Sequence, residues 1–217
     1  MKIDNEHLRI ALLGAPTSGK TQVAEEFAKA IGEGFRVVDN PADRVSNMGY
    51  ELGATADFRT ALSLATFQLE DEKRGHDECN TITLGTPLQR LAHTGAAVHV
   101  LGERVERFPT IDNRRSLLIE NNIGHLLAFL LAEEFQYHFV FHLPLPDTSG
   151  LIVPGEDVSD DRSYNSRVDT GFRQLIDAFF IPAKVLTGDD RAAQMVAHVK
   201  ESMAKVAAEE AEKPVEV

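Results

Sequence analysis

Two glycines, a lysine and a threonine follow a short apolar segment near the start of the sequence. The segment 14-GAPTSGKT-21 fits the pattern G-x-x-x-x-G-K-[ST] at every fixed position. Glycines allow the backbone angles that turn amide N–H groups inward around phosphate oxygens. A helix that begins after this loop adds its own N-terminal N–H groups and the positive end of its dipole. The segment therefore predicts a phosphate-binding loop (P-loop) for a nucleoside triphosphate.

We expect the whole loop to contact the nucleotide. The Lys20 side chain would reach the β- and γ-phosphates, and the Thr21 hydroxyl would coordinate Mg²⁺. The remaining positions would contribute mainly backbone N–H groups, and the full set of contacting residues is Gly14, Ala15, Pro16, Thr17, Ser18, Gly19, Lys20 and Thr21.

A second group of candidate residues consists of arginines. Region 144–169 is rich in Pro, Gly, Ser and Asp, which predicts a long loop of the kind that often forms a lid. Arg162, Arg167 and Arg173 lie in or just after it, and we expect Arg162 and Arg167 to fold over the triphosphate and stabilise developing charge. The alternative is that these arginines pair with the neighbouring surface carboxylates Glu156, Asp157, Asp160 and Asp161.

Three further residues are candidates for the phosphoryl acceptor. Asp39 ends the second predicted strand, where a carboxylate can take a proton from an acceptor hydroxyl or can cap the next segment. Arg59 and Gln68 lie on a helix predicted over 57–74. Arg59 could hold a phosphate or carboxylate, and Gln68 could hydrogen-bond a base or an amide. The apolar stripe of this helix is of the kind that usually packs in a core.

Strands and helices must alternate to position these residues. Five short apolar segments predict strands that are buried on both faces, namely Leu8–Leu13, Phe35–Asp39, Thr81–Leu84, Tyr137–Leu143 and Ala183–Thr187. Helical patterns lie between and after them, at Gly19–Ile31, 57–74, 113–135 and Asp190–Ala208. This alternation predicts an α/β fold with a parallel sheet and right-handed crossovers. We expect one domain over 1–207, with the lid at about 147–172, and a flexible acidic tail over 208–217.

Composition narrows the class of protein. The 217 residues include 34 acidic and 22 basic side chains, for a formal charge of −12. Such a charge disfavours general binding to nucleic acid or to an anionic membrane. Cys79 is the only cysteine, the N-terminus does not read as a signal peptide, and the apolar stretch 126–132 is too short to span a bilayer. We therefore expect a cytoplasmic protein that binds a small molecule.

The sequence resembles the P-loop nucleoside and nucleotide kinases, especially the branch that is similar to nicotinamide riboside kinase. Relatives of that branch are common in bacteriophages and are often described as ATPases or nucleotide kinases, so the compartment would then be the host cytoplasm. The resemblance rests on GAPTSGKT (14–21), VVDNP (37–41), ADFRTALSLATFQLEDEK (56–73), NTITLGTPLQRLAH (80–93), VFHLPLP (140–146), DDRSYNSR (160–167) and VLTGDDRAAQMVAHV (185–199).

This resemblance implies a three-layer P-loop fold with a five-stranded parallel sheet in the order 2-3-1-4-5 and an arginine-bearing lid loop. It implies ATP and Mg²⁺ as cofactors, held by the P-loop. Arg162 would be a lid arginine, and Asp39 matches the position of the acid that serves as base in deoxynucleoside kinases.

The sequence departs from this family after the third strand. Related kinases usually carry Asp-Arg there and a later Asp, whereas this chain has Leu84, Gly85 and Gln89. An acidic group at that point normally positions Mg²⁺. Either the metal is held by Thr21, phosphate and water with help from Asp39, or catalysis is weak. Thr86 could add a hydroxyl and is a further candidate for substrate contact.

Three functions remain open at this point. The first is an ATP-dependent kinase of a small nucleoside or nucleotide, with Lys20, Asp39 and Arg162 as catalytic residues. The second is a nucleotide-binding regulatory or interaction module with little turnover. The third is an NTPase that uses water as acceptor. The acceptor, the preference for ATP over GTP and the oligomeric state are not determined by the sequence.

Overall fold

The computed structural model describes residues 7–32, 34–53, 56–76, 78–107, 110, 137–145, 160–178 and 180–211. Strands and helices alternate along these residues, as the sequence predicted. In chain order they are β1 Arg9–Leu13, α1 Lys20–Ile31, β2 Phe35–Val38, α2 Ala42–Asn47, α3 Phe58–His76, β3 Asn80–Thr83, α4 Pro87–Arg107, β4 Phe139–His142, α5 Asp160–Ala178, β5 Ala183–Val185 and α6 Arg191–Ala211.

The five strands form one parallel sheet in the order β2-β3-β1-β4-β5. This confirms the predicted fold class and strand order. Strand β1 is central, and its Ile10 pairs with Ile82 of β3 on one side and with Phe139 of β4 on the other. Because all the carboxyl ends of parallel strands meet at one edge, the chain segments after β1, β2 and β3 lie side by side there.

Helices cover both faces of the sheet and complete the three layers. On the first face, α1 and α6 bury Phe27 and Met195 against Ile10, Leu12 and Phe141. On the second face, α4 and α5 bury their apolar side chains against the strand residues that point to that face. The resulting cluster includes Ala11, Leu13, Ala92, Val168 and Phe172. Helix α3 also lies on this second face, where Gly75 packs closely on the side chains of Val38 and Thr81.

Helix α5 is the main correction to the sequence-based fold. Residues 144–169 were predicted to be a loop with a lid at about 147–172, but residues 160–178 form a regular helix. Tyr164, Val168 and Phe172 recur every fourth residue and are all buried, so they form one apolar stripe of a helix. The polar composition of the surrounding residues hid this stripe. Consequently Arg162, Arg167 and Arg173 lie on a helix and not in a loop, while 146–159 falls outside the described residues.

The ends of other elements also differ from prediction. Strand β2 ends at Val38, so Asp39 lies in the turn that follows it. Helix α6 continues to Ala211, so the first residues of the predicted tail are helical, and 212–217 fall outside the described residues. The helix predicted within 113–135 also lies outside them. None of the helices in the described ranges has the length and apolarity needed to cross a lipid bilayer.

The packing of α5 can be tested with two phenylalanines. Phe172 is fully buried, whereas Phe180, just beyond the helix, is 92% exposed. We expect Phe172→Ala to lower the free energy of unfolding by about 3–5 kcal/mol, because it removes a large buried side chain. The matched control Phe180→Ala should change it by less than about 0.5 kcal/mol. Urea denaturation followed by circular dichroism measures both values, and equal losses would contradict the described packing of α5.

Candidate active site

The P-loop motif forms the turn between β1 and α1. Gly19 precedes the helix with φ 85°, and Thr17 has φ 68°, so both adopt left-handed backbone conformations. A Cβ atom at Gly14 would lie 2.5 Å from the Ser18 hydroxyl oxygen and 2.8 Å from the carbonyl oxygen of Leu143. A side chain at position 14 would collide with Ser18 and Leu143, so this position requires glycine. Position 19 favours glycine because its backbone is left-handed.

The ammonium group of Lys20 is held inside this turn. Its Nζ atom donates hydrogen bonds to the carbonyl oxygens of Gly14 at 2.6 Å and Ala15 at 2.8 Å. Burial, and secondarily the nearby Arg90 guanidinium, lower the pKa of Lys20 to about 8. Within the described part of the chain, no carboxylate lies close enough to form an ion pair with Lys20. An anionic ligand would therefore supply the countercharge that the site lacks.

An arginine from the other end of the chain supports the loop. Arg191, at the start of α6, donates from Nη1 to the carbonyl oxygen of Ser18 and from Nε to that of Gly188, both at 3.0 Å. Ser18 is buried, and its hydroxyl oxygen has no hydrogen-bond partner in the structure. Arg191 thus joins the P-loop to the segment after β5 by binding the Ser18 carbonyl oxygen, a role that the sequence did not suggest.

The two threonines proposed for Mg²⁺, Thr21 and Thr86, have different surroundings in the structure. Thr21 is exposed in the first turn of α1, where its hydroxyl can reach a metal ion bound with a nucleotide. Thr86 is fully buried, and its hydroxyl accepts a hydrogen bond from the backbone N of Gln89 at 3.2 Å, so it caps α4. Leu84 packs in the first core. Across the described ranges no three His, Cys, Asp or Glu side chains group as metal ligands. The residues present therefore fit a metal that Thr21, phosphate and water hold together.

A set of hydrogen-bonded side chains lies beside the P-loop, on the second face of the sheet. We call it the polar cluster. Its members come from the turn after β2, from α3, α4 and α5, and from the segment that leads into β4, and they are Asn40, Gln68, Glu72, Gln89, Arg90, His93, Tyr137 and Tyr164. Of these, the sequence had predicted only Gln68 as a site residue.

Arg90 is the cation of this cluster. It is only 7% exposed, and its Nη2 atom donates to the side-chain oxygen of Asn40 at 2.9 Å. Burial lowers the pKa of Arg90 to about 10, and its Nε atom has no partner in the structure. A Cβ atom at Gly85 would lie 2.7 Å from Arg90 Nη2 and 2.1 Å from Gln68 Oε1. Glycine at position 85 therefore lets α4 bring a guanidinium group to the end of β3.

A buried carboxylate lies one helical turn further along α3. Glu72 accepts a hydrogen bond from Gln68 Nε2 at 2.8 Å, and the Tyr137 hydroxyl donates to its two oxygens at 3.2 and 3.1 Å. Burial raises the pKa of Glu72 to about 7, although these hydrogen bonds and the charges of Arg90 and Arg9 act in the opposite direction. Glu72 therefore changes charge near neutral pH.

His93 joins α4 to α5. Gln89 Nε2 lies 3.4 Å from His93 Nε2, and the Tyr164 hydroxyl lies 2.8 Å from His93 Nδ1. Burial, together with the charges of Arg90 and Lys20, lowers the pKa of His93 to about 3, so the ring is neutral. The neutral ring thus has Gln89 beside one nitrogen and Tyr164 beside the other.

The other predicted acceptor residues lie at the margin of the cluster or outside it. Asp39 is exposed, and its Oδ1 atom accepts a hydrogen bond from the backbone N of Asn40 at 2.7 Å. It is thus adjacent in sequence to the partner of Arg90, at the carboxyl edge of the sheet. Arg59 is exposed on α3 and makes none of the contacts that define the polar cluster.

The three arginines of α5 differ in their surroundings. The side chain of Arg162 lies outside the described structure, although its backbone belongs to the first turn of α5. Arg167 is half-buried. Arg173 donates to Asp169 Oδ2 at 2.9 Å, and Asp169 Oδ1 also accepts from His142 Nε2 and the backbone N of Leu145, both at 3.2 Å. Burial alone would raise the pKa of Asp169, but these donors hold it below its usual value. Arg173 is thus engaged within α5.

Solved structures that are similar to this chain include two kinases, each of which matches it over about nine tenths of its length. Thymidylate kinase from Ehrlichia chaffeensis is 15% identical, over 90% of this chain and 99% of that chain, with a TM-score of 0.59. Deoxyadenosine kinase from M. mycoides with bound dATP is 14% identical, over 89% of this chain and 100% of that chain, with a TM-score of 0.55. The chain has the fold of the P-loop nucleotide kinases.

A third neighbour with this kinase fold is longer. NadR in complex with NAD and AMP-PNP is 11% identical and has a TM-score of 0.61 over 90% of this chain. The match covers 49% of NadR, so this chain spans about half the length of that protein. No protein-family model matches the sequence, and no curated protein matches it by sequence.

Sequence reasoning missed most of the polar cluster and Arg191. One usable signal was present, because Gln68 and Glu72, and likewise Gln89 and His93, are polar pairs four residues apart that share one face of a helix. No pattern in the sequence distinguishes such a buried pair from a solvated one. Arg191 carries no signal at all, since its partner Ser18 is 173 residues away.

The support from Arg191 leads to a binding prediction. Arg191→Met removes both hydrogen bonds to backbone carbonyls, so we expect about tenfold weaker binding of a non-hydrolysable ATP analogue. Isothermal titration calorimetry measures the dissociation constant. Arg36→Met is the matched control, since Arg36 is exposed and pairs only with the exposed Glu78 at 3.4 Å. Unchanged affinity in the Arg191 variant would show that the bonds to Ser18 and Gly188 do not shape the loop.

The raised pKa of Glu72 leads to a stability prediction. The unfolded chain loses this proton at about pH 4.5 and the folded protein only at about pH 7. The free energy of unfolding therefore falls between these values, by up to about 3 kcal/mol from this group, and stays lowered above them. Glu72→Gln lacks this contribution, so the variant should gain stability relative to wild type as pH rises from about 5 to about 8.

Urea denaturation at several pH values tests this expectation. Glu70→Gln is the matched control, because Glu70 lies on the same helix but is exposed and pairs with Arg74. If the curves for wild type and Glu72→Gln stay parallel across that range, the carboxylate does not titrate as the burial implies.

Proposed function

We propose that this protein transfers the γ-phosphoryl group of Mg-ATP to a small nucleoside or nucleotide. The observation that carries the proposal is the continuity between the P-loop and the polar cluster. Lys20 and Arg90 are close enough for both charges to lower the pKa of His93, and Arg90 bonds to Asn40 and lies with Gln68 beside Gly85 at the same edge of the sheet. A phosphate site beside a buried set of amide and guanidinium groups suits an organic acceptor better than water.

The residues of the P-loop have defined tasks in this proposal. Backbone N–H groups of 14–21 and the N-terminus of α1 bind phosphate oxygens. Lys20 binds the β- and γ-phosphates, and Thr21 contributes its hydroxyl to Mg²⁺. ATP, when bound, supplies the phosphoryl group. Arg191 keeps the loop in shape from outside. The unpaired Ser18 hydroxyl and the unpaired charge of Lys20 both support an anionic ligand here.

On the acceptor side, the polar cluster would hold and orient the molecule. Among the described residues, Gln68 Oε1 and Arg90 Nε are buried without hydrogen-bond partners, which adds uncompensated polar groups to this part of the site. Asp39, exposed at the end of β2, would accept the proton of the attacking hydroxyl. Arg162 and Arg167, at the start of α5, would approach the phosphates, and Thr86 would act mainly by capping α4. Arg59 is a weaker candidate for acceptor binding because it is exposed outside the cluster.

The acceptor class is open to nucleosides and to nucleoside monophosphates. Nicotinamide riboside belongs among the candidates because the sequence resembles that kinase branch. The net charge of −12 supports a dissolved small molecule as partner and disfavours nucleic acid and anionic membrane. A cytoplasmic location agrees with this charge and with the single cysteine.

One observation favours a second candidate function. Leu84 is buried in the first core and Gly85 has no side chain, so the end of β3 offers no carboxylate for Mg²⁺. A nucleotide-binding module with little turnover would tolerate that loss. Binding of ATP without stimulated turnover would distinguish this module from a kinase.

ADP release tests the proposal directly. The assay combines Mg-ATP with a panel of nucleosides, their 5′-monophosphates and nicotinamide riboside. We expect one acceptor class to raise the rate well above the rate without acceptor. Lys20→Ala should lower that rate by about 100-fold or more, because it removes a donor that stabilises phosphate charge. Lys29→Ala, an exposed lysine at the end of the same helix, is the matched control and should keep full activity.

The other outcomes also have clear meanings. ADP release that is fast without acceptor and insensitive to the panel would identify an NTPase. ATP binding with no release under any condition would identify the nucleotide-binding module. Either result would overturn the kinase proposal while leaving the P-loop assignment intact.

A further inference from the structure

We propose that Tyr164 is a positioning residue, which fastens the first half of α5 to α4 through its hydrogen bond with His93. This half of the helix carries Arg162 and Arg167. The inference rests on the proposed function, because it takes these arginines as groups that approach the triphosphate. It goes further by naming the contact that sets where their helix lies.

The contact between the two helices is short and enclosed. The Tyr164 hydroxyl oxygen lies 2.8 Å from His93 Nδ1, and the two ring centroids are 5.8 Å apart. Tyr164 is buried. Burial raises the pKa of Tyr164 above its usual value and lowers the pKa of His93 to about 3, so both side chains are neutral at physiological pH. A hydroxyl can donate or accept, so the bond forms with either tautomer of the ring.

His93 connects Tyr164 to the part of α4 that lies beside the P-loop. Its Nε2 atom lies 3.4 Å from the Nε2 atom of Gln89, which is one turn earlier on the same helix. The charges of Arg90 and Lys20 both act on the His93 ring. The bond from Tyr164 therefore ends within electrostatic reach of the two cations of the candidate site, and it joins α5 to that site directly.

Apolar packing alone does not fix how far α5 can slide along α4. Small residues face each other where these helices meet, since a Cβ atom at Gly171 would lie 3.5 Å from both the Cα and the Cβ atoms of Ala92. The hydrophobic contribution of such a contact depends on buried area and not on direction. A hydrogen bond weakens steeply when its distance or angle changes, so it selects one position. Tyr164 supplies this constraint for the first half of α5.

The middle of α5 is fastened separately. Asp169 accepts hydrogen bonds from His142 Nε2 and from the backbone N of Leu145, both at 3.2 Å, which joins it to the end of β4. Tyr164 lies more than one helical turn before Asp169, and Arg167 lies between them. Loss of the Tyr164 bond would therefore leave the attachment at Asp169 in place and release only the half of the helix that carries the arginines.

The consequence concerns the step in which charge develops on the transferred group. A charged donor that is displaced by about 1 Å stabilises a transition state much less well. The contacts expected for the bound nucleotide come mainly from the P-loop and the first turn of α1, which are separate from α5. We therefore expect Tyr164 to affect kcat more than the affinity for the nucleotide.

Removal of a single oxygen atom tests this role. Tyr164→Phe keeps the ring and loses the bond to His93. We expect kcat for acceptor-stimulated ADP release to fall about tenfold. The KM for ATP and the dissociation constant of a non-hydrolysable ATP analogue should stay within about twofold of wild type. Tyr50→Phe is the matched control and should keep the wild-type kcat, because Tyr50 is half-buried after α2 and lies outside the polar cluster.

A second variant shows whether the bond itself is responsible. His93→Leu removes the other partner and should also lower kcat. Adding Tyr164→Phe to this variant should lower kcat by less than about twofold more, because the bond is already absent. A further tenfold loss in the double variant would overturn the inference. An unchanged kcat in Tyr164→Phe, or a rise in KM and dissociation constant without a fall in kcat, would overturn it as well.

Hydrogen exchange followed by mass spectrometry measures the fastening of α5 without turnover. In Tyr164→Phe the amides of 164–168 should exchange about fivefold faster than in wild type, and those of 172–178 at the wild-type rate. Equal exchange over 164–168 in both proteins would refute the inference even if the kinase proposal holds. Faster exchange there, in a protein that shows no acceptor-stimulated ADP release, would support the fastening by Tyr164 and refute the kinase proposal.

Discussion

The structure is arranged around the ammonium group of Lys20, which pairs with no carboxylate among the described residues. Lys20 is bonded to two backbone carbonyl oxygens, and Arg90 lies nearby, where it donates a hydrogen bond to Asn40 and its charge acts on the carboxylate of Glu72. Both cations are buried at the carboxyl edge of the sheet in a protein whose net charge is −12. Burial of a cation is costly unless an anion joins it. The close approach at Gly14 and the hydrogen bonds from Arg191 hold the turn in which Lys20 lies, so an anion bound there would offset the cost of burying this charge.

Most of the fold followed from the sequence because its signals are local. The five strands and three of the helices were predicted from apolar runs and periodicity, and the resemblance implied the sheet order that the structure shows. Helix α5 was missed because Tyr164, Val168 and Phe172 are separated by polar residues that suggested a loop. Helix α4 was not predicted, and two of the polar side chains that it buries, Gln89 and Arg90, lie in its first turn.

The candidate site also has one part that the sequence predicted and one part that it did not. The turn that the P-loop motif forms between β1 and α1 could be predicted because its residues are consecutive. The polar cluster could not, because its bonds join residues that are 50 positions apart, as for Asn40 and Arg90, or 71 apart, as for His93 and Tyr164. A glutamate four residues after a glutamine looks the same in sequence whether the pair is solvated or buried. Only the fold shows that Gln68 and Glu72 are enclosed, and that Gly85 makes room for them beside β3.

The carboxylate of Asp169 has a consequence for how this protein can vary. Its Oδ1 atom binds both the backbone N of Leu145 and His142, so the end of β4 and the middle of α5 are fastened to each other. The two flanks of residues 146–159 therefore stay in place whatever chain length connects them. Each doubling of such a connection costs only about 0.6 kcal/mol in closure entropy. A change in the length of the chain between these two flanks would therefore leave the packing of β4 against α5 intact.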